Sequence, residues 1–343
     1  MNRRHLLRAG LAAGLTGLAG CTGGDGSADD STTSSTPTTT PSVDLPSGIY
    51  VQQFRETMAM QGMGTAGPYR VGLMYSAPHA FWNVNGTSVQ KTEAFGDIHL
   101  MATVFDPETE TVIPETGLSI EIEKEGEFVS QEVIYPMLSQ RMGVHYGGNF
   151  GLDGDGSYTA NVSVGGLPIE TRGSFEGKFD AAASTVIDFE FTDEERAKVK
   201  SERLDAYGKP GAVQPMEMGM MPTGYAPSQN DLPGYRGAVM SDDARFLVGH
   251  HEGRLYASAR TRYNGLFLPA AGVEATVTRG SETVFEGELV RMLDPTLGYH
   301  YGTDVAVESG DELELRVTTP PQVARHQGYE RAFLQFEPMS LTL

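Results

Sequence analysis

The sequence predicts an all-β protein. It has two β-sandwich domains, related by an internal duplication, behind an export signal and a polar stalk. Three observations predict this. From Tyr69 onward, apolar residues recur with period two in short segments separated by glycines, the pattern of sandwich strands. The strings "YPMLSQRMGVHYGGN" (135–149) and "VRMLDPTLGYHYGTD" (290–304) repeat one device, a Met-Leu pair starting eight residues before a His-Tyr-Gly. No long amphipathic helix, no Gly-rich phosphate loop and no strand–helix alternation occurs, which argues against a nucleotide enzyme.

The elements follow in order. Residues 1–20 open with Arg3-Arg4 and an apolar run, a twin-arginine type of export signal too short to span a membrane. The run ends in a lipobox, Leu18-Ala19-Gly20-Cys21, and Cys21 is the only cysteine, so no internal disulfide can form. Lipidation at Cys21 is expected, and a two-chain diacylglycerol type of anchor would hold the protein firmly at the cell membrane, facing outward. Residues 21–47 are Ser/Thr/Pro-rich and nearly free of apolar side chains, so they are expected to form a disordered stalk.

Residues 48–191 form the first predicted sandwich. "DIHLMATVF" alternates Ile98, Leu100, Ala102 and Val104 against His99, Met101, Thr103 and Phe105. "LSIEIEKEGEFVSQEVIY" reads as two strands joined at Gly126. Over 192–240 the period breaks. Thr192 and Glu195 give a capping box, which predicts a short exposed helix over "TDEERAKVKSERLDAY", followed by a Met/Pro/Gly-rich linker. Strands resume over 241–343, the second sandwich. Aligning the two halves on the terminal motif sets Tyr256 near the place of His99, and the halves are expected to pack on each other as an internal pseudo-dimer.

The formal net charge is −20, and removing residues 1–20 takes away Arg3, Arg4 and Arg8 and no acid, leaving −23. Such scattered acidity is like that of haloarchaeal surface proteins, which stay hydrated in concentrated salt. It argues against nucleic-acid partners. No Gly-x-Ser-x-Gly, His-Glu-x-x-His or catalytic cysteine context is present, so the chain is read as a binding protein, not an enzyme.

The chemistry sits in histidine and methionine. If Ile98 and its partners face the core, His99 and Met101 point the other way. Met137 and His145 flank a seven-residue loop able to return both side chains to one point. Imidazole and thioether suit copper, above all Cu(I), and take zinc or ferrous iron when a carboxylate joins. The competing reading packs Met137 in the core and makes His145 a hydrogen-bonded turn residue. Met58, Met60 and Met63 in "ETMAMQGMG", and Met216, Met218, Met220 and Met221 in "PMEMGMMPTG", offer further Cu(I) donors or adaptable packing. His250-His251 reads as a solvated turn, and Trp82 as strand packing.

"GDIHLMATVF" and "YPMLSQRMGVHYGGNFGLDGDGSYTANVSV" resemble the periplasmic ferrous-iron-transport-associated, copper-binding proteins of bacterial iron-permease systems, which are immunoglobulin-like dimers. The resemblance covers roughly 69–191, with a weaker echo over 244–338. It implies metal ligands at His99, Met137 and His145, with copper or ferrous iron as cargo and a membrane permease as recipient. Met101 replaces the family's glutamate, which favours a softer metal. The family's later histidine loop is missing from the first half, where "GGLPIETRGSFEGKF" offers only Glu170 and Glu176. The second half has Met292, His300 and a late histidine, His326. If the halves pack as the family's dimers do, His326 completes the first site with His99, Met137 and His145. The alternative is a surface interaction module in which the His-Tyr-Gly turns serve only the fold.

Overall fold

Strands account for most of residues 45–343, the part described by the computed structural model; the export signal, Cys21 and the stalk to residue 44 lie outside the described residues. A short strand β1 (Phe54–Glu56) leads into the first half. This comprises β2 (Ala59–Ala66), β3 (Tyr69–Ser76), β4 (Phe81–Asn85), β5 (Ser88–Thr92), β6 (Ile98–Phe105) and β7 (Leu118–Lys124). It continues through β8 (Glu127–Ser139), β9 (Gly143–Phe150), β10 (Gly156–Val164), the two-residue β11 (Glu170–Thr171) and β12 (Ala183–Phe191). A helical turn α1 (Asp193–Arg196) and β13 (Ser201–Arg203) precede the second half. That half contains β14 (Tyr235–Ser241), β15 (Ala244–His251), β16 (Arg254–Thr261), β17 (Gly272–Arg279) and β18 (Glu282–Glu288). It ends with β19 (Val290–Asp294), β20 (Gly298–Asp304), β21 (Glu312–Thr319), β22 (Ala324–Arg325) and β23 (Met339–Thr342).

Both halves follow one strand plan. In the first, the order β2-β3-β6-β9-β8 makes one layer and β8-β7-β10-β12 the other. The long β8 belongs to both, pairing first with β7 and then with β9. In the second, β14-β15-β16-β20-β19 and β18-β17-β21-β23 repeat those layers, and the counterpart of β8 is broken at the buried Leu289 into β18 and β19. Alternate residues of the layers meet in an apolar core: Leu73, Leu100, Ile122 and Val162 in the first half, and Val248, Leu255, Val277 and Leu313 in the second. Each such side chain contributes roughly 1.5–3 kcal/mol by burial. The core is continuous through both halves, which belong to one compact unit.

The repeated tyrosines explain part of the repeated motif. The Tyr146 hydroxyl accepts from the Thr116 N–H at 2.9 Å, and the Tyr301 hydroxyl accepts from the Ala271 N–H at 3.0 Å. Each then donates onward, to the carbonyls of Ile113 and Leu268. In both halves a buried tyrosine thus ties the strand after the hairpin to the loop that follows β6 or β16.

The halves also exchange short strands. β22 of the second half pairs in parallel with β8 of the first, Ala324 opposite Met137. β11 of the first pairs in parallel with β19 of the second, Glu170 opposite Met292.

The helix expected after Thr192 is a single turn. Thr192 does cap it, accepting from the Glu195 N–H at 3.3 Å, but Ser201–Arg203 is extended and pairs with β1. A segment without an apolar stripe gains nothing from staying helical once a strand edge offers its backbone partners.

Candidate metal centre

The strand pleat selects the donors. On β6, Ile98, Leu100, Ala102 and Val104 join the core, which turns His99 and Met101 to the opposite face. Residues 137–145 form a hairpin, not the expected open loop: Ser139 pairs with Gly143, and Met137 stands directly opposite His145. The spacing of eight is therefore the register of a tight hairpin, with Gly143 at φ +70° in its turn. On β9 the same face carries His145, Gly147 and Asn149, and β9 lies beside β6 with Asn149 opposite His99. Gly147 has no side chain, so this face is hollow at its centre. A Cβ there would stand 2.9 Å from His99 Nε2 and 3.1 Å from Met137 Sδ.

Two histidines close the hollow. His326 follows β22, with its N–H donating to the Leu138 carbonyl at 3.1 Å. Its Nε2 comes within 3.3 Å of Met137 Sδ, and its ring centre lies 5.0 Å from that of His145 and 5.5 Å from that of His99. His79, in the turn between β3 and β4, had no part in the sequence expectation. Its ring centre is 4.0 Å from that of His99, and its Nε2 is 3.1 Å from His326 Nδ1. Nitrogens of His79, His99 and His326 lie within 4.8 Å of one another. The signal for His79 was slight: a histidine after Ala-Pro, with no counterpart in the second half, where β15 and β16 are joined by a tight turn.

Hydrogen bonds fix every tautomer. The Asn149 amide donates from Nδ2 to the His79 carbonyl at 3.1 Å, which leaves its oxygen to accept from His99 Nδ1–H at 2.8 Å. His145 Nδ1–H donates to the Gly143 carbonyl at 3.0 Å. His79 Nδ1–H donates to the Ala77 carbonyl at 3.1 Å, so His79 Nε2 must accept, and His326 Nδ1–H is its donor. In all three of His99, His145 and His326 the remaining Nε2 carries a lone pair. Those of His99 and His145 are buried without a partner, and that of His326 faces a thioether that has no proton to give.

The imidazoles are neutral. Burial is the main cause for each, pushing His145 down to about 4, His99 and His326 well below the ordinary value, and His79 below it. His99 and His145 are fully enclosed, whereas His79 and His326 are partly exposed at a cleft of about 230 Å³. Met58, Met101 and Trp82 also line this cleft. Among the described residues no carboxylate joins the cluster of three histidines, although Glu56 lines the same cleft. The set is neutral, nitrogen- and sulfur-rich and half-open, which suits copper.

The second half keeps the scaffold with two of the donors, Met292 and His300, and loses the other two. Met292 stands opposite His300, and His300 Nδ1 bonds the Gly298 carbonyl at 3.0 Å, as in the first half. Matching Tyr301 to Tyr146 sets Tyr256 in the place of Met101, because Tyr256 pairs with Gly302 as Met101 pairs with Gly147. The counterpart of His99 is therefore Arg254, two residues before the expected Tyr256. Where His99 bonds Asn149, Arg254 bonds Asp304 at 2.7 Å. The counterpart of His326 is Arg172, whose N–H donates to the Leu293 carbonyl as His326 does to Leu138, and which pairs with Glu170. Two guanidinium groups, which have no lone pair to offer a cation, stand where two imidazoles stand in the first half.

Apart from Met58 and Met101, which line the cleft, the other candidates lie away from this site. Met58 and Met63, with Met216, pack against the buried Met74, Met101, Met142, Met218 and Met221. Met60 and Met220 are exposed. His250 bonds the Val305 carbonyl and His251 faces Glu252, both at the end of the β15–β16 hairpin. Glu176 is exposed, and Glu170 belongs to the second half's edge.

Residues 227–342 match a domain of unknown function (DUF7350). No curated protein matches the chain. Among solved structures, the chain is similar to FetP of uropathogenic Escherichia coli strain F11. A copper-bound variant of FetP shares 17% identity over 40% of this chain and 98% of its own, with a TM-score of 0.32. FetP as isolated shares 17% identity over 40% of this chain and 97% of its own, with a TM-score of 0.31.

Proposed function

We propose that the chain is a metal-binding protein whose cargo is copper, held by His99, Met137, His145 and His326, with His79 at the mouth. One observation carries this reading: the Nε2 lone pairs of His99 and His326 and the Met137 thioether gather with no hydrogen among them, and the His145 ring, its Nε2 also bare, stands 5.0 Å from that of His326. Burying unpaired polar nitrogens costs on the order of 1–3 kcal/mol each, and a Lewis acid at the centre would offset it; His300 Nε2 in the second half is also buried and unpaired, so it is the gathering of donors, not one orphaned nitrogen, that points to an ion. The site is assembled from both halves, since His326 reaches it only through the pairing of β22 with β8.

The proposal extends to transport. A lipid on Cys21 would hold the protein on the outer side of the cell membrane. The partly exposed His79 and His326 would release the ion to a permease, and no bond of substrate would be made or broken. The FetP likeness agrees with metal handling and is not needed for it. The Tyr-Gly part of the repeat has a structural role in both halves, so the interaction-module reading keeps one specific support.

The test is metal content and thermal shift with Cu(I), Cu(II), Fe(II), Zn(II) and Mn(II), in concentrated salt, beside a His99→Ala/His145→Ala variant. A ligand that binds only the folded state raises the melting temperature. A copper-dependent rise lost in the variant supports the proposal. A rise with no ion refutes it in favour of the interaction module.

A further inference from the structure

Ten of the chain's fifteen methionines collect in one region beside the histidine site, drawn from β2, β3, β6, the 140–142 turn and the 216–221 segment. Elsewhere the core is built of Leu, Ile, Val and aromatic residues; here the buried cluster is methionine with Phe105 alone. The two sequence clusters, far apart along the chain, meet in a second cavity of about 370 Å³. Met63, Met218 and Met221 line it, and Met60 and Met220 stand exposed, 44% and 76%, at its rim. Packing accounts least for the rim, where Met220 keeps only a quarter of its surface from solvent. Gly72 on β3 leaves room for the Met221 sulfur, which would stand 1.9 Å from a Cβ at that position. At the other end of the cluster, Met58 and Met101 line the cleft that also holds His79 and His326. The cluster therefore extends from the open cavity to the cleft of the histidines.

We infer that this methionine patch is a second metal site, selective for soft monovalent ions, Cu(I) foremost, and that it feeds the histidine site. Neutral thioethers bind Cu(I) and Ag(I) and discriminate against Zn(II), Fe(II) and Mn(II), which need nitrogen or oxygen donors. The patch itself depends on no property of the histidine site; its role as a feeder rests on the proposed function above.

The experiment uses the chain with carbon-13-labelled methionine methyl groups, titrated with Ag(I) under reducing conditions. A Met60→Leu/Met63→Leu/Met218→Leu/Met220→Leu variant is compared with it. Leucine conserves volume, so the cluster stays packed, and Met240→Leu, on the exposed face of β14, controls for methionine loss. The expected result is that methyl resonances of the patch shift on adding Ag(I). The quadruple variant loses at least one bound equivalent and the Met240→Leu variant loses none. Zn(II) binding by the histidines is the same in all three. Unchanged Ag(I) stoichiometry in the quadruple variant, or patch resonances that do not move, overturns the proposal. To separate the two readings, the titration is repeated on His99→Ala/His145→Ala. Ag(I) at the patch in this variant leaves the patch standing on its own, and a lack of copper at the histidines of the unsubstituted chain removes the feeder role.

Discussion

Replacing Gly147 with alanine tests the site with a single methyl group. The added Cβ would sit 2.9 Å from His99 Nε2, 3.1 Å from Met137 Sδ and 3.4 Å from His99 Cε1. A bound ion needs to lie about 2 Å from Nε2, in the same hollow the methyl would fill. Gly147 is not among the glycines with positive φ, so alanine brings no backbone strain. The second half supplies a matched control. At Gly302 a Cβ would meet the Leu255 carbonyl at 3.1 Å, Arg254 Cδ at 3.2 Å and His300 Cδ2 at 3.4 Å. Both substitutions overpack to a similar degree, at a cost of about 1–3 kcal/mol. They should therefore lower the metal-free melting temperature alike, by a few degrees. Their effect on metal should differ. Loss of an outer-shell partner weakens metal sites by about 10–100-fold, and direct obstruction of two donors should exceed the upper figure for Gly147→Ala. Gly302→Ala should bind as the unsubstituted chain does. Competition with a chromophoric Cu(I) chelator measures both. Equal affinities for the two variants would refute the placement of the ion over Gly147.

Other outcomes follow from the same geometry. Asn149→Ala should keep one bound ion but weaken it by about 10–100-fold, because Asn149 holds the His99 tautomer; the same competition reads it, and unchanged affinity would show the ring is held otherwise. Arg254→His/Arg172→His should rebuild a second donor set with Met292 and His300 and add one bound copper, counted by elemental analysis. No gain would mean the second half differs by more than these two guanidinium groups. His300, buried and unused in the proposed site, has its pKa pushed down to about 4 by burial. Between pH 6.5 and 4 the unfolded chain therefore binds a proton there that the folded chain does not, and stability falls on acidification. Against His300→Gln, the metal-free chain should lose about 1.4 kcal/mol per pH unit across that window, measured by denaturant unfolding. A constant difference between the two proteins would show that His300 is protonated equally in both states.

The all-β class, the turn at Gly126 and the strand faces of β6 were legible because a pleated strand alternates its side chains, whatever lies on either side. The recurrence of Met…His-Tyr-Gly was legible as well, and so were His99, Met137 and His145 as side chains sharing one region. Two roles were fused in that motif, and only the structure separates them. Tyr146 and Tyr301 are structural in both halves, whereas donors converge in one. Sequence spacing carries no register and sets Tyr256 against His99, whereas cross-strand pairing of Tyr256 with Gly302 makes Arg254 the counterpart. His79 was missed because nothing local distinguishes it. Its place depends on a turn, on Asn149 and on a histidine 247 residues away.

The sequence by itself determined which residues have lone pairs to offer, the alternation that puts them on one face, and the net charge of −20. Tertiary structure decided that His326 crosses from the second half to the first, and that Arg172 crosses the other way to an edge where no imidazole set remains. It also brought two distant methionine clusters to one cavity. The physical reason is range: pleat and turn preferences act over a few residues, whereas the exchange of β22 and β11 depends on which strand edges are left unpaired once both sandwiches have closed.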